Sequence, residues 1–280
     1  MHNNLISFDY AIKYLLKDKG DYDIVEGFIS AILKSQNYKP IKIQALLESE
    51  SNKETSIVKS SVADLIVSDT DGNSYIVEID KSYTDLFLYK AVFNSSRLIV
   101  DNIGAGQDYS KIKKVFHINL LYFAPKDRHL TTNAPLHHGK VIFHEIDRNH
   151  PVDIHLADLS MRFFDAHNIF PEYFIISVPL FDDVIKEEID EWLYLAKYSE
   201  VRPDFKSPYM KKVSERLNIL KMTNEERREY DEYLNKSLKN RDYLVAAIGE
   251  GEAKGETRAK IEIAKNLLSQ NMDINIISTA

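Results

Sequence analysis

Two acidic residues interrupt two short apolar runs on either side of an Asp-Gly turn, and this pattern constrains the fold more than any other. Val62 to Val67 is apolar except for Ala63's small size and the acid Asp64, and Tyr75 to Ile79 is apolar except for Glu78. Between them lies Asp69-Thr70-Asp71-Gly72-Asn73. Asp-Gly between two apolar runs is a hairpin signature, because a tight turn needs residues that tolerate positive φ. A carboxylate inside a half-buried strand is costly unless it is paired or bound to a metal. Asp64 and Glu78 are equidistant from Asp71, so a symmetric turn sets them across from each other, with side chains within about 5 Å. Carboxylates that close repel each other unless a divalent cation neutralises them. Mg²⁺ suits such a pair because it takes oxygen ligands, keeps several waters and binds phosphate oxygens; Mn²⁺ and Ca²⁺ are the alternatives. A metal there lowers the pKa of a bound water and offsets charge on a phosphate, which is the logic of phosphodiester hydrolysis.

The rest of the chain alternates helical and extended patterns. Residues 8–35 read as helix in two pieces with a break near Gly20 and Asp21, and Ile24, Phe28, Ile32 and Leu33 share one face of the second. Ile41 to Leu47 reads as a strand and Glu48 to Ser56 as a polar loop. A long helix is predicted from Tyr83 to Asn102, closed by Gly104 and Gly106. Strands are predicted at Val115 to Phe123, at Lys140 to Ile146 (paired with the same sheet) and at Tyr173 to Val178, with a polar loop from Pro125 to Leu136. From Asp182 onward the pattern is helical. One helix is marked by Val184, Ile185, Ile189, Trp192, Leu193 and Ala196, and others span Pro208 to Lys221 and Glu225 to Leu238. Gly249 to Gly255 reads as weakly helical or hinge-like, since each glycine costs about 1 kcal/mol in a helix. Ile261 to Leu268 resumes amphipathic spacing.

Composition sets the outer limits. At 280 residues and 44% hydrophobic, the chain is long enough for one large domain with an appendage or for two modest domains. The absence of cysteine excludes disulfides, thiolate metal sites and a cysteine nucleophile. No stretch resembles a signal peptide or a membrane-spanning helix, so a cytoplasmic protein with no membrane partner is expected. A net charge of −7 argues against a non-specific DNA coat but is compatible with a carboxylate metal site. Basic clusters at Lys111, Lys113 and Lys114, and at Lys206, Lys211, Lys212 and Arg216, read first as solvated faces. Six histidines (His129, His137, His138, His144, His150 and His155) fall in one region, but their spacing matches no zinc motif. There is no Gly-x-Ser-x-Gly elbow and no phosphate-binding glycine loop.

With these residues in view, the chain resembles the PD-(D/E)xK nuclease superfamily, and within it the Rpn branch of recombination-promoting nucleases, also described as transposases. The resemblance runs from about Phe8 to Phe123 and more loosely into the tail. It is carried by Phe8-Asp9-Tyr10-Ala11-Ile12-Lys13, by Val25-Glu26-Gly27-Phe28-Ile29-Ser30-Ala31-Ile32-Leu33 and by the Asp64 strand. Val77-Glu78-Ile79-Asp80, the helix from Lys90 to Leu98, and Gly106-Gln107-Asp108-Tyr109-Ser110 with His117 to Phe123 complete it.

The resemblance implies an α/β fold in which a mixed central sheet is flanked by helices and followed by a C-terminal helical appendage. The nuclease domain is expected at 1–204 and the helical region at 205–280, with the hinge near 249–256. Asp64 and Glu78 look like the metal-binding acids, the Ile79 carbonyl like an added ligand, and Glu26 like a helix acid near the metal. Lys90 matches a basic position of the branch. The third motif position, normally Lys or Gln, is Asp80 here. Two readings of that departure stand open: Asp80 is a further metal ligand, or activity is reduced. Lys81 cannot substitute, because adjacent strand residues point to opposite faces. The implied function is Mg²⁺-dependent cleavage of DNA in a bacterial cell, linked to recombination, mobile elements or defence. The alternative is a weakened, nuclease-derived DNA-binding or regulatory module. The residues from Ile261 resemble a small terminal helical module that serves oligomerisation or DNA contact.

Overall fold

The computed structural model describes residues 5–12, 22–47, 63–84, 86–103, 106–125, 133–144, 146, 151–152, 169–270 and 272. In chain order these form helices α1 (Phe8–Tyr10) and α2 (Asp23–Lys34), then strands β1 (Ile43–Leu46), β2 (Leu65–Asp69) and β3 (Ser74–Asp80). Helix α3 (Phe87–Asp101) and strands β4 (Val115–Leu121), β5 (Leu136–Gly139), β6 (Phe143–His144), β7 (Pro151–Val152) and β8 (Glu172–Ser177) follow. Helices α4 (Glu188–Tyr198), α5 (Met210–Arg216) and α6 (Asn224–Ser269) end the series. None of the described helices is long and apolar enough to cross a membrane. The loop expected at Glu48 to Ser56 lies outside the described residues.

The Asp-Gly turn folds as its sequence demands. Asp69 accepts from the backbone N–H of Asp71 at 2.9 Å and of Asn73 at 2.8 Å, from the Asn73 side-chain amide at 3.0 Å and from the Tyr75 hydroxyl at 2.8 Å. Gly72 sits at φ +84°, where a side chain would be strained. The resulting hairpin pairs Leu65 with Val77, Ile66 with Ile76 and Val67 with Tyr75.

Around that hairpin a six-stranded sheet assembles in the order β1-β2-β3-β4-β8-β5. β1, β2 and β3 are antiparallel, β3, β4 and β8 are parallel, and β5 returns antiparallel to β8. The mixed sheet expected from the sequence is therefore present, with helices on it. Every residue of β4 is buried, as suits a strand covered on both faces. Alternation divides the two faces. Ile66, Ile76 and Val115 pack with Leu98 of α3, and Leu121 and Ile175 pack with Phe87 of α3. On the opposite face Phe116 stacks on Tyr75 with ring centroids 5.2 Å apart and meets Tyr38, just beyond α2. Phe28 of α2 and Trp192 of α4 pack against each other and against Phe8.

Several boundaries differ from the sequence reading for local reasons. α3 starts at Phe87 instead of Tyr83, because the Thr84 hydroxyl accepts from the Leu86 N–H and forms a turn first. α4 starts at Glu188, after Asp183 adopts φ +67° and a capping box closes on Glu187 and Asp190. The strand placed at Lys140 to Ile146 is corrected: the strand of the main sheet is β5, while Phe143–His144 pairs with β7 in a separate two-stranded sheet. β5 is drawn into the main sheet by His138, which stacks on Phe174 at 4.6 Å and meets the Glu172 carboxylate at 2.7 Å.

The chain divides into two compact units, Met1–Lys221 and Met222–Ala280. α5 therefore belongs with the first unit, beyond the sequence boundary at 204. Val213 and Leu217 are fully buried, and the Ile6 N–H donates to the Leu217 carbonyl at 2.9 Å. In the second unit α6 begins at a Thr223–Glu226 capping box and continues through Gly249, Gly251 and Gly255, the stretch read as a hinge. Charged pairs one turn apart, Glu250–Lys254 and Glu256–Lys260, lie on either side of Gly255.

One glycine is a packing requirement. A Cβ on Gly27 of α2 would lie 2.5 to 2.7 Å from three ring atoms of Tyr209. Gly27→Ala is therefore expected to lower stability by about 1–3 kcal/mol, despite alanine's better helix propensity. A thermal melt of the variant beside the wild type checks this, and an unchanged or higher midpoint would refute it.

Candidate active site

The hairpin register carries Asp64 and Glu78 to the open end of β2 and β3. Leu65 pairs with Val77, so the next step outward brings Asp64, at the bend before β2, opposite Glu78. The Asp64 carboxylate accepts from the Ile79 backbone N–H at 2.7 Å, which fixes it against β3. The neighbouring strand adds its own polar pair on the same face, because β3 and β4 align Ile76 with His117 and Glu78 with Asn119.

Glu78 is 1% exposed, yet both of its oxygens are engaged. The Lys90 ammonium donates to Oε2 at 2.6 Å and the Asn94 side-chain amide donates to Oε1 at 2.6 Å. Lys90 and Asn94 are one helical turn apart on α3, so a single face of that helix presents both donors to one carboxylate. Lys90 also lies 3.8 Å from Asp80. Burial pushes the Glu78 carboxyl up to about 7 against the opposing pull of Lys90, and the charges of Asp64 and Asp80 push the same way as burial. The Lys90 amine is raised by Glu78, Asp80 and Asp64 despite its burial, so it stays an ammonium.

Beyond Asn94, Ser95 meets His117 Nδ1 at 3.1 Å. Burial and the Lys90 charge hold that imidazole down at about 3, hence neutral near pH 7. Asn94, Ser95 and His117 were missed in the sequence. The available signal was two adjacent polar residues on a helix face otherwise made of Phe87, Ala91 and Leu98.

The remaining candidates fall into place by strand alternation. Asp80 follows Glu78 by two residues and shares its face, with a side chain 16% exposed. Lys81 points the other way and pairs with Asp9 of α1 at 2.5 Å, so it is absent from the acid cluster, as expected. Glu26 is not brought to the cluster of Asp64, Glu78 and Asp80. It accepts from the Ile43 N–H at 2.9 Å and from Lys42 at 3.0 Å. Ile43 pairs with Asp69 at the turn end of the hairpin, five residues from Asp64, or about 17 Å along a strand. The Glu26 carboxylate anchors the start of β1.

The basic clusters divide as well. Lys113 donates to the Asp71 carbonyl at 3.0 Å and Lys212 pairs with Asp23 at 2.6 Å. Lys114 is only 9% exposed and pairs with Glu172 at 2.7 Å, so it is a structural charge and not part of a solvated face. Of the histidines, His138 joins that same pair, and His129, His150 and His155 lie outside the described residues.

The donor chemistry around Glu78 fits a hard divalent cation. Asp64, Glu78 and Asp80 offer only oxygens, and the Lys90 ammonium already occupies a cation's place between Glu78 and Asp80. Among the described residues no three His, Asp or Glu side chains converge as a ready metal cage. Mg²⁺ does not need one, since it is commonly held by one or two carboxylates, waters and substrate phosphate.

Comparison with known proteins adds one finding. A family model described as PD-(D/E)XK nuclease family transposase matches residues 6–247. No curated protein and no solved structure matches the chain.

Proposed function

The chain belongs to the PD-(D/E)XK nuclease family transposases, and from that premise we propose that it is a divalent-metal-dependent DNA endonuclease. The observation that carries the reading is a carboxylate, Glu78, kept in the protein interior at the register position opposite Asp64 and given charged and neutral donors instead of being replaced by an apolar residue. A structural role does not ask for that arrangement, because a well-packed apolar group there costs less. Asp64 and Glu78 are the residues that would hold Mg²⁺ or Mn²⁺, with Ile79 supplying a backbone carbonyl beside them. The bound metal would supply a water of lowered pKa and a counter-charge for the phosphate. Lys90, with its side chain 44% exposed, holds positive charge at the edge of the site where a phosphate would approach. Asp64 is steadied by the Ile79 N–H, so its carboxylate keeps one orientation as substrate binds.

A second reading rests on Asp80. It stands where the family places Lys or Gln, and it adds negative charge beside Glu78. On this reading the chain binds DNA through a nuclease-derived scaffold and cuts it weakly. One assay separates the two. Supercoiled plasmid is incubated with the full chain and Mg²⁺ or Mn²⁺, beside Asp64→Ala and Glu78→Ala. Cleavage by the wild type that both variants lose supports the endonuclease, while cleavage that survives both sinks the assignment of the acids. DNA binding without cleavage, with cutting regained by Asp80→Lys or Asp80→Gln, supports the second reading.

A further inference from the structure

The two donors that grip Glu78 differ in how readily they can let go. Asn94 is 4% exposed and lies on the buried face of α3. Withdrawing its amide would leave the buried Glu78 Oε1 without this donor, which is costly. Lys90 is different. Its side chain is 44% exposed, and a long flexible stem lets the ammonium swing to water without disturbing the core. The ammonium also lies between two of the acids, 2.6 Å from Glu78 and 3.8 Å from Asp80, as a cation bound to both would.

We infer that Asn94 is a positioning residue that permanently fixes one oxygen of Glu78, and that Lys90 is an internal stand-in for the metal, exchanged from the other oxygen when a divalent cation enters. This deepens the nuclease reading above and rests on it. In the metal-free protein the Lys90–Glu78 pair holds the acidic cluster together and keeps the buried carboxylate compensated. On exchange, Lys90 is released at the mouth of the site, still bearing its charge. The positive charge missing at the Asp80 position is thereby provided by the helix, and only once metal is present. Lys90 thus orders the events, with metal before nucleic acid.

The exchange predicts opposite effects on metal affinity for two residues that touch the same carboxylate. Titration of Mn²⁺ into the full chain by calorimetry, without DNA, reads them directly. Lys90→Met and Lys90→Gln each remove the competitor and are expected to tighten Mn²⁺ binding roughly tenfold, the order of one charge-assisted hydrogen bond. Asn94→Ala and the similarly sized Asn94→Leu are expected to weaken it by a similar factor, and melting curves identify any variant that has lost its fold. A merely structural ion pair would lower the melting midpoint of Lys90→Met and leave its Mn²⁺ affinity unchanged. Unchanged or weaker Mn²⁺ binding in both Lys90 variants overturns the exchange, and unchanged binding in both Asn94 variants overturns the positioning role. If the wild type still cleaves plasmid in either case, the nuclease reading survives. If no variant binds Mn²⁺ and none cleaves, both fall together.

Discussion

Glu78→Gln is expected to lower plasmid cleavage by about a hundredfold or more while raising the stability of the protein above pH 7. The two effects have one cause. Glu78 is buried and its carboxyl is pushed up to about 7, with burial as the largest contribution and Asp64 and Asp80 adding to it. The folded protein therefore ionises this group at a cost that the unfolded chain does not bear. A carboxyl raised from its ordinary 4.5 to about 7 penalises the folded state by roughly 3 kcal/mol once both states are ionised. Glutamine keeps the shape and an oxygen for the Asn94 amide, and it removes the charge to be desolvated. Lys90 is not stranded, because nearly half of its side chain already faces water.

The sign of the pH dependence follows from the same shift. Because the folded-state pKa is raised, the favourable contribution of Glu78 is complete below 4.5 and is lost as pH rises through about 7. Stability measured by denaturant titration should therefore carry a component that falls between pH 4.5 and 7 in the wild type and is missing in Glu78→Gln. A variant that loses cleavage and also loses stability above pH 7 would contradict this account of the site.

The hairpin and its acids were legible in the sequence because local rules fix them. Asp-Gly sets the turn, period-two alternation sets the faces, and the equal spacing of Asp64 and Glu78 about Asp71 sets the register, which the Leu65–Val77 pairing matches. Lys90 was legible through the family likeness. What the sequence did not disclose depended on contacts between distant segments. The position of Glu26 follows from the packing of α2 against the start of β1, and no local pattern encodes that a helix acid will cap Ile43 instead of facing Asp64 and Glu78. Asn94 looked like an ordinary polar residue of a helix until α3 was laid on β3. Lys114 looked like part of a basic surface run, while its side chain turns inward to a carboxylate 58 residues later in the chain, Glu172. The strand error at Lys140 to Ile146 is of the same kind. His138 decides the matter through Phe174 and Glu172, which a single-segment pattern cannot see.

Glu172→Ala is the substitution expected to destabilise the first unit most, by about 3–5 kcal/mol, because it leaves a buried ammonium without its carboxylate. Glu172 is 2% exposed and gathers four contacts from three segments. The Tyr38 hydroxyl lies 2.8 Å from each of its oxygens, and Lys114 and His138 each approach to 2.7 Å. These partners outweigh burial, and the carboxyl is held down at about 2. Its linkage is opposite to that of Glu78: the stabilisation is present above the ordinary 4.5 and is lost as pH falls toward about 2. Loss of the carboxylate also removes the anchor that holds β5, through His138, beside β8 at the sheet edge. Glu172→Gln should be milder, since the amide oxygen still accepts from Lys114 or Tyr38, although the ammonium loses its counter-charge. Chemical denaturation at pH 7 ranks the three proteins, with the wild type most stable, Glu172→Gln intermediate and Glu172→Ala lowest. Hydrogen exchange at β5 adds a local readout, because freeing His138 should raise exchange at Leu136–Gly139 more than in β3. An alanine variant as stable as the wild type would mean that the Lys114 charge is solvated in a way its 9% exposure does not permit.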